Sequence, residues 1–140
     1  MDVTKLLANA ILQSNADAII ATDRDGLICY WNKGAERIFG FTAAEAHAQS
    51  LDLIIPERFR KRHWDGYFQV VAKGESRYGE GDVLAVPGVT KAGDSISLEF
   101  TITLLRNPDG KVIGMASILR DVTARFEEMR AMKKALSQRG

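Results

Sequence analysis

The chain has 140 residues, 46% of them hydrophobic, with 19 basic against 18 acidic side chains and a formal net charge of +1. A chain of this size buries on the order of 68–70% of its unfolded surface, enough for one core without disulfide or metal staples. The single cysteine, Cys29, excludes an internal disulfide and a multi-cysteine zinc site, and the balanced charge gives no electrostatic footprint for nucleic acid.

Met1–Lys5 shows neither a basic segment nor a long apolar one, and no apolar run approaches the ~18 residues of a membrane span. The expectation is a cytoplasmic protein without a membrane partner. Val3, Leu6, Leu7, Ala10 and Ile11 recur at helical spacing, so Val3–Ser14 reads as an amphipathic helix. Asp17–Thr22 and Leu27–Trp31 read as two strands joined by the turn Asp23-Arg24-Asp25-Gly26, where glycine supplies the positive φ that a tight hairpin needs. Cys29 lies in the second strand, where the simplest reading is a small buried hydrophobe.

Asn32 suits a helix N-cap, and Gly40 suits the end of a helix that runs to Phe39. Thr42-Ala43-Ala44-Glu45 matches a capping box, which predicts a second short helix over about Ala43–Gln49. Pro56 suits the first turn of a third helix, reaching Lys73 and stopping at Gly74. Within it Arg58, Arg60, Lys61 and Arg62 read as a solvated side, while Phe59, His63, Tyr67 and Val70 share the other face.

The remainder is strand-like. Asp82–Val89 carries Pro87, which suits an edge strand or a bulge. In Ser95–Leu105 the residues Ile96, Leu98, Phe100, Ile102 and Leu104 alternate with Ser97, Glu99, Thr101 and Thr103. Asn107-Pro108-Asp109-Gly110 is a turn, and Val112–Arg120 is the last strand. Strands with short helices between the second and third predict an α+β domain with an antiparallel sheet. The tail, Ala124–Arg139, is charged and helix-prone. Val122, Phe126, Met129, Lys133 and Leu136 fall near a heptad register there, with Lys133 as its flaw and Met132 on its border.

The succession Asp23-x-x-Gly26, Tyr30-x-Asn32, Phe39-Gly40-Phe41, Glu45, Pro56, Lys91-x-Gly93 and Arg120-Asp121-Val122-Thr123 resembles the PAS domain over about residues 8–123. The resemblance implies a five-stranded antiparallel sheet in spatial order 2-1-5-4-3. It also implies helices on one side enclosing a pocket, and flanking helices that dimerise. The chain then divides into an N-terminal flanking helix (1–14), the PAS domain (15–123) and an output helix (124–140). Arg120, Asp121, Val122 and Thr123 would form the signal junction, and Phe126, Met129 and Leu136 the dimerising face of a parallel homodimer, with help from the stripe of Val3–Ile11. The rival arrangement folds both helices back onto their own sheet in a monomer.

Within that family, Pro56-Glu57-x-Phe59-Arg60-x-Arg62-His63-x-Asp65-Gly66-Tyr67 resembles the segment leading into the haem helix of FixL-type oxygen sensors. Where those sensors carry their proximal histidine this chain has Tyr78, and ferrous haem for reversible gas binding wants a neutral imidazole or thioether. The departure leaves the cofactor unknown. His63 could coordinate haem iron, contact a polar ligand, or be a structural histidine bonded to a backbone carbonyl or to Asp65. A flavin photosensor of this fold needs a cysteine in an Asn-Cys-Arg-Phe setting before its third helix, which is absent.

A phosphate-binding loop is absent too, and no serine lies in a His/Asp arrangement, so no enzyme is expected. His47 and His63, without cysteines, make no metal pattern. A small apolar or aromatic ligand would be lined by Phe59, His63, Tyr67, Val70, Tyr78, Val86, Leu98 and Met115. The function classes are a ligand-binding sensory module, a ligand-free dimerisation or protein-interaction module with a filled core and, as a second alternative, a haem-based gas or redox sensor. The downstream effector is not named by the sequence.

Overall fold

The computed structural model describes residues 2–75 and 82–139. Along the chain run helix α1 (Val3–Leu12), strands β1 (Ala18–Asp23) and β2 (Ile28–Trp31), helices α2 (Lys33–Phe39) and α3 (Ala43–Ala46), and a 3₁₀ turn (Leu51–Ile54). Helix α4 (Glu57–Lys73), strands β3 (Leu84–Val89), β4 (Ser95–Arg106) and β5 (Val112–Asp121), and helix α5 (Thr123–Gln138) follow. The strands form one antiparallel sheet in the order β2-β1-β5-β4-β3. That is the α+β arrangement the resemblance implies, with the Pro87 strand at an edge.

Asp23 builds the first hairpin turn. Its Oδ1 accepts from the amides of Asp25 (2.9 Å) and Leu27 (3.0 Å), while Gly26 adopts φ 81°. The turn leaves a register shift between Ala21 and Thr22, so that Thr22 pairs with Ile28 while Ala21 pairs with Tyr30. Ile28 and Trp31 go into the core and Cys29 is exposed, against the expectation of a buried thiol. A strict period of two would not reveal this, because the bulge adds a residue.

The core lies between the sheet and the short helices. Ala18, Ile20, Ile28, Trp31, Leu98 and Leu119 meet Ala35, Ile38 and Phe39 of α2, Ala46 of α3 and Ile54 of the 3₁₀ turn. Phe39 is 0% exposed, and burial of such a side chain stabilises by roughly 1.5–3 kcal/mol. Ile96 and Phe100 pack against the same cluster as Leu98, so the alternation along β4 has one face on the core.

The expected helix over 43–49 ends at Ala46. The capping box forms, but the Ala48 amide donates to the Ile28 carbonyl and the Ile28 amide to the Gln49 carbonyl, each at 2.8 Å. These bonds extend β2 sideways and pull Ala48 to φ 61°. Tertiary pairing outweighs helix propensity over those residues. Pro56 sits before the first turn of α4 at ψ 140°, not within it, and the strand expected from Asp82 begins at Leu84. Among the described residues no helix is long and apolar enough to cross a membrane.

Candidate functional site

On α4 the periodicity places side chains as expected. Tyr67 is buried, Phe59, His63 and Val70 are half-buried, and Arg58, Arg62 and Asp65 are exposed. The inner face of α4 meets the β1–β2 turn. Tyr67 donates its hydroxyl hydrogen to the Asp23 carbonyl, and the Thr22 hydroxyl bonds Tyr67 Oη at 2.9 Å. Burial raises the Tyr67 pKa above its ordinary value, so the phenol stays a donor. The Trp64 ring packs where a Cβ on Gly26 would lie, 2.2 Å from that position, so only glycine fits under it. Trp64 Nε1 donates to Asp52 Oδ1 at 2.7 Å, and Arg60 donates to the Ile55 carbonyl at 3.0 Å.

His63 Nδ1 stands in this group without a hydrogen-bond partner among the described residues. That nitrogen is buried, and the His63 ring lies 4.5 Å from the Trp64 ring at 81° and 6.0 Å from the Tyr67 ring. Burial lowers its pKa from 6.5, against an opposing pull from Asp52. Asp65, the partner expected for a structural histidine, pairs with Lys61 instead, at 3.2 Å. Among the described residues no cluster of three or more His, Cys, Asp or Glu side chains could hold a metal ion.

The expected ligand-lining residues do not all converge. Leu98 packs in the core, its Cδ1 2.6 Å from where a Cβ on Gly88 would be. Met115 pairs across from Thr22 on β1, on the side of Tyr67. Val86, on the edge strand β3, is 40% exposed. Tyr78 lies outside the described residues.

The strand-to-helix junction is closely bonded. Asp121 Oδ1 accepts from both the amide (3.0 Å) and the hydroxyl of Thr123. The Thr123 hydroxyl oxygen in turn accepts from the Ser97 amide at 2.9 Å, and the Val122 amide donates to the Ser97 carbonyl at 2.9 Å. Arg125 then reaches Glu99 on β4 at 2.7 Å. Arg120 grips both carboxylate oxygens of Asp17, at 3.2 and 3.4 Å, and so joins the end of β5 to the segment that follows α1. Sequence reading missed Asp17, Ser97 and Glu99. Their partners lie 26 or 103 residues away along the chain, and only the sheet register brings them together.

Both flanking helices carry uncovered apolar side chains. Val3, Leu6, Leu7 and Ile11 of α1 are 50–69% exposed, and Phe126, Met129, Met132 and Leu136 of α5 are 49–65% exposed. Neither helix has a buried residue. The end of α1 is held by the Tyr30 hydroxyl, which donates to the Leu12 carbonyl at 3.1 Å.

A family model for the PAS fold matches residues 7–122. Over 132 residues the chain is 27% identical to the signal transduction histidine-protein kinase AtoS of Escherichia coli, covering 94% of this chain and 20% of that protein. Over 58 residues it is 40% identical to the sensor protein FixL of Bradyrhizobium diazoefficiens, covering 41% of this chain and 11% of that protein. The chain spans a fifth or less of the length of these curated relatives. Among solved structures, the PAS domain of a Colwellia psychrerythraea protein superposes with a TM-score of 0.74 at 23% identity, covering 88% of this chain and 99% of that one.

Proposed function

We infer the function from a plain premise: the chain belongs to the PAS family, and it is a sensory signal-transduction module. In our reading it catalyses no reaction and works in the cytoplasm. It binds a small ligand or cofactor between the helices and the sheet and passes the change through Arg120–Thr123 to α5, within a homodimer. The observation that carries this reading is the junction. Asp121, Thr123 and Ser97 tie the first turn of α5 to two strands of the sheet at once. A displacement of β4 against β5 therefore reaches the helix instead of dissipating in a loop. The apolar stripes on α1 and α5 support the dimer, since large apolar faces left in water favour association.

Thr123→Val tests the relay. It removes the hydroxyl that bridges Asp121 and Ser97, so hydrogen exchange at Val122–Arg125 should speed up while the β1 and β5 amides keep their protection. Unchanged exchange at the start of α5 would remove the junction from the mechanism. Sedimentation of wild type and of Phe126→Asp tests the dimer. A wild type that stays monomeric at high concentration overturns it, and a dimer indifferent to the aspartate removes α5 from the interface.

A second reading is favoured by the packing of Trp31, Phe39, Ile54, Leu98 and Leu119 in one cluster. With these side chains occupying the space between sheet and helices, the module would join proteins without a bound small molecule. Native mass spectrometry and a 300–700 nm absorption spectrum of purified protein separate the two readings. A retained small molecule supports the ligand-binding sensor, and its absence under native conditions supports the interaction module.

A further inference from the structure

His63 is a half-buried base whose enclosed Nδ1 has no acceptor among the described residues. Its Nδ1 is enclosed and unbonded, and the rings of Trp64 and Tyr67 press on it from the same helix. Among the described residues the charged groups around it are few. From the 3₁₀ turn comes Asp52, already bonded to Trp64 Nε1 and 3.9 Å from Arg60. From the hairpin side come the Tyr67 hydroxyl and, acting on it, Asp23, Asp25 and Cys29. Burial keeps the proton of Tyr67 in place, so the phenol supplies no negative charge for an imidazolium. The seat of α4 is slender as well: Tyr67 is its one buried residue.

We propose that His63 is a proton-operated latch, which as a neutral ring lets α4 seat against the β1–β2 turn and as an imidazolium releases that edge of the helix. With Nε2 holding the hydrogen of the neutral ring, a proton taken from solvent places an N–H on Nδ1, where no acceptor lies among the described residues. The new charge is satisfied by water or by Asp52, and capturing Asp52 draws it away from Trp64. Either route lifts the Trp64–Tyr67 edge off Gly26 and Asp23. The sign follows from burial. Desolvation outweighs the attraction of Asp52 and holds the seated imidazole below 6.5. The detached state therefore binds the proton first. Seating is complete above the ordinary histidine range and weakens as pH falls through it towards the lower seated value.

The test is hydrogen exchange on the full chain, corrected for intrinsic rates, from about pH 7.5 to about pH 5.5. Protection of amides 60–72 should fall severalfold while β1 and β5 stay constant, and His63→Phe, which keeps a planar ring, should flatten the response. Protection that does not change, that changes evenly across the domain, or that changes equally in His63→Phe overturns the latch. Should His63→Phe fail to fold, an NMR titration of His47→Asn decides, because one imidazole then remains. Loss of the Trp64 indole–Asp52 signal in step with that titration supports the latch, and an indole signal indifferent to it overturns the latch.

Discussion

Asn32 and His63 are both polar side chains enclosed by this fold, and they are treated in opposite ways. Every hydrogen-bonding atom of the Asn32 side chain is used. Oδ1 accepts from the amides of Ile19 and Ala35, each at 2.9 Å, and Nδ2 donates to the carbonyls of Ser14 (3.0 Å) and Asp17 (3.1 Å). One side chain thus caps α2, fixes β1 and captures the segment after α1. His63 leaves a buried nitrogen unbonded. A satisfied polar group specifies a single arrangement, whereas an unsatisfied one leaves a helix whose hold depends on protonation. The α2 end of the sheet is built to stay still, and the α4 end to yield.

The harshest way to break that contrast is at the tied end. Asn32→Ala leaves two buried amides unpaired, at ~1–3 kcal/mol each, so we expect a loss of about 3 kcal/mol or more. Urea unfolding should show a lower midpoint with an unchanged slope. A loss under ~1 kcal/mol would mean that water replaces the side chain and that the end is not rigid. Gly34 sharpens the point. A Cβ there would lie 1.9 Å from the Asp17 carbonyl oxygen, so Gly34→Ala should loosen the same segment.

At the yielding end the corresponding change is Tyr67→Phe. The ring keeps its burial, but the Thr22 hydroxyl, 4% exposed as a residue, loses its partner. We expect a loss of about 1–2 kcal/mol. Hydrogen exchange should show it confined to α4 below the global unfolding limit. If β1 and β5 lose protection equally, α4 and the sheet open as one unit and the contrast fails.

Much of this architecture was legible from residue patterns. The Asn32 cap, the Thr42–Glu45 capping box, the Asp23–Gly26 turn and the inward face of α4 follow from local chemistry that needs no distant partner. The Asp-Val-Thr junction was legible as a motif. What stayed hidden was set by pairing between distant segments. The bulge that turns Cys29 outward, the ladder bonds that stop α3 at Ala46, and the capture of Thr123 by Ser97 all depend on register. His63 was visible as a histidine on the inward face of the helix, but the lack of a partner for its Nδ1 depended on Lys61 taking Asp65 and Trp64 taking Asp52. The first is an i, i+4 pair that helical spacing allows; the second joins two elements and is not written in spacing.

The smallest effect asks to which kind of end the output helix belongs. Arg125 meets Glu99 at 2.7 Å, with 59% and 34% of the two side chains exposed. A pair this open is worth about 0.5 kcal/mol and is screened by salt. A double-mutant cycle on Glu99→Gln and Arg125→Gln should return a coupling of that size, and it should fade between low and high salt. The pair can still matter for direction. Ser97 and Thr123 fix where α5 starts, but a single anchor leaves a helix free to swing about it. Glu99 sits two residues along β4 from Ser97, so the ion pair supplies a second anchor that limits the swing. In the proposed homodimer, distances between spin labels at positions 133 of the two subunits should therefore broaden in Glu99→Gln, with stability almost unchanged. A narrow, unshifted distribution would mean that the Asp121–Thr123–Ser97 bonds alone set the helix, and that α5 is held as firmly as α2.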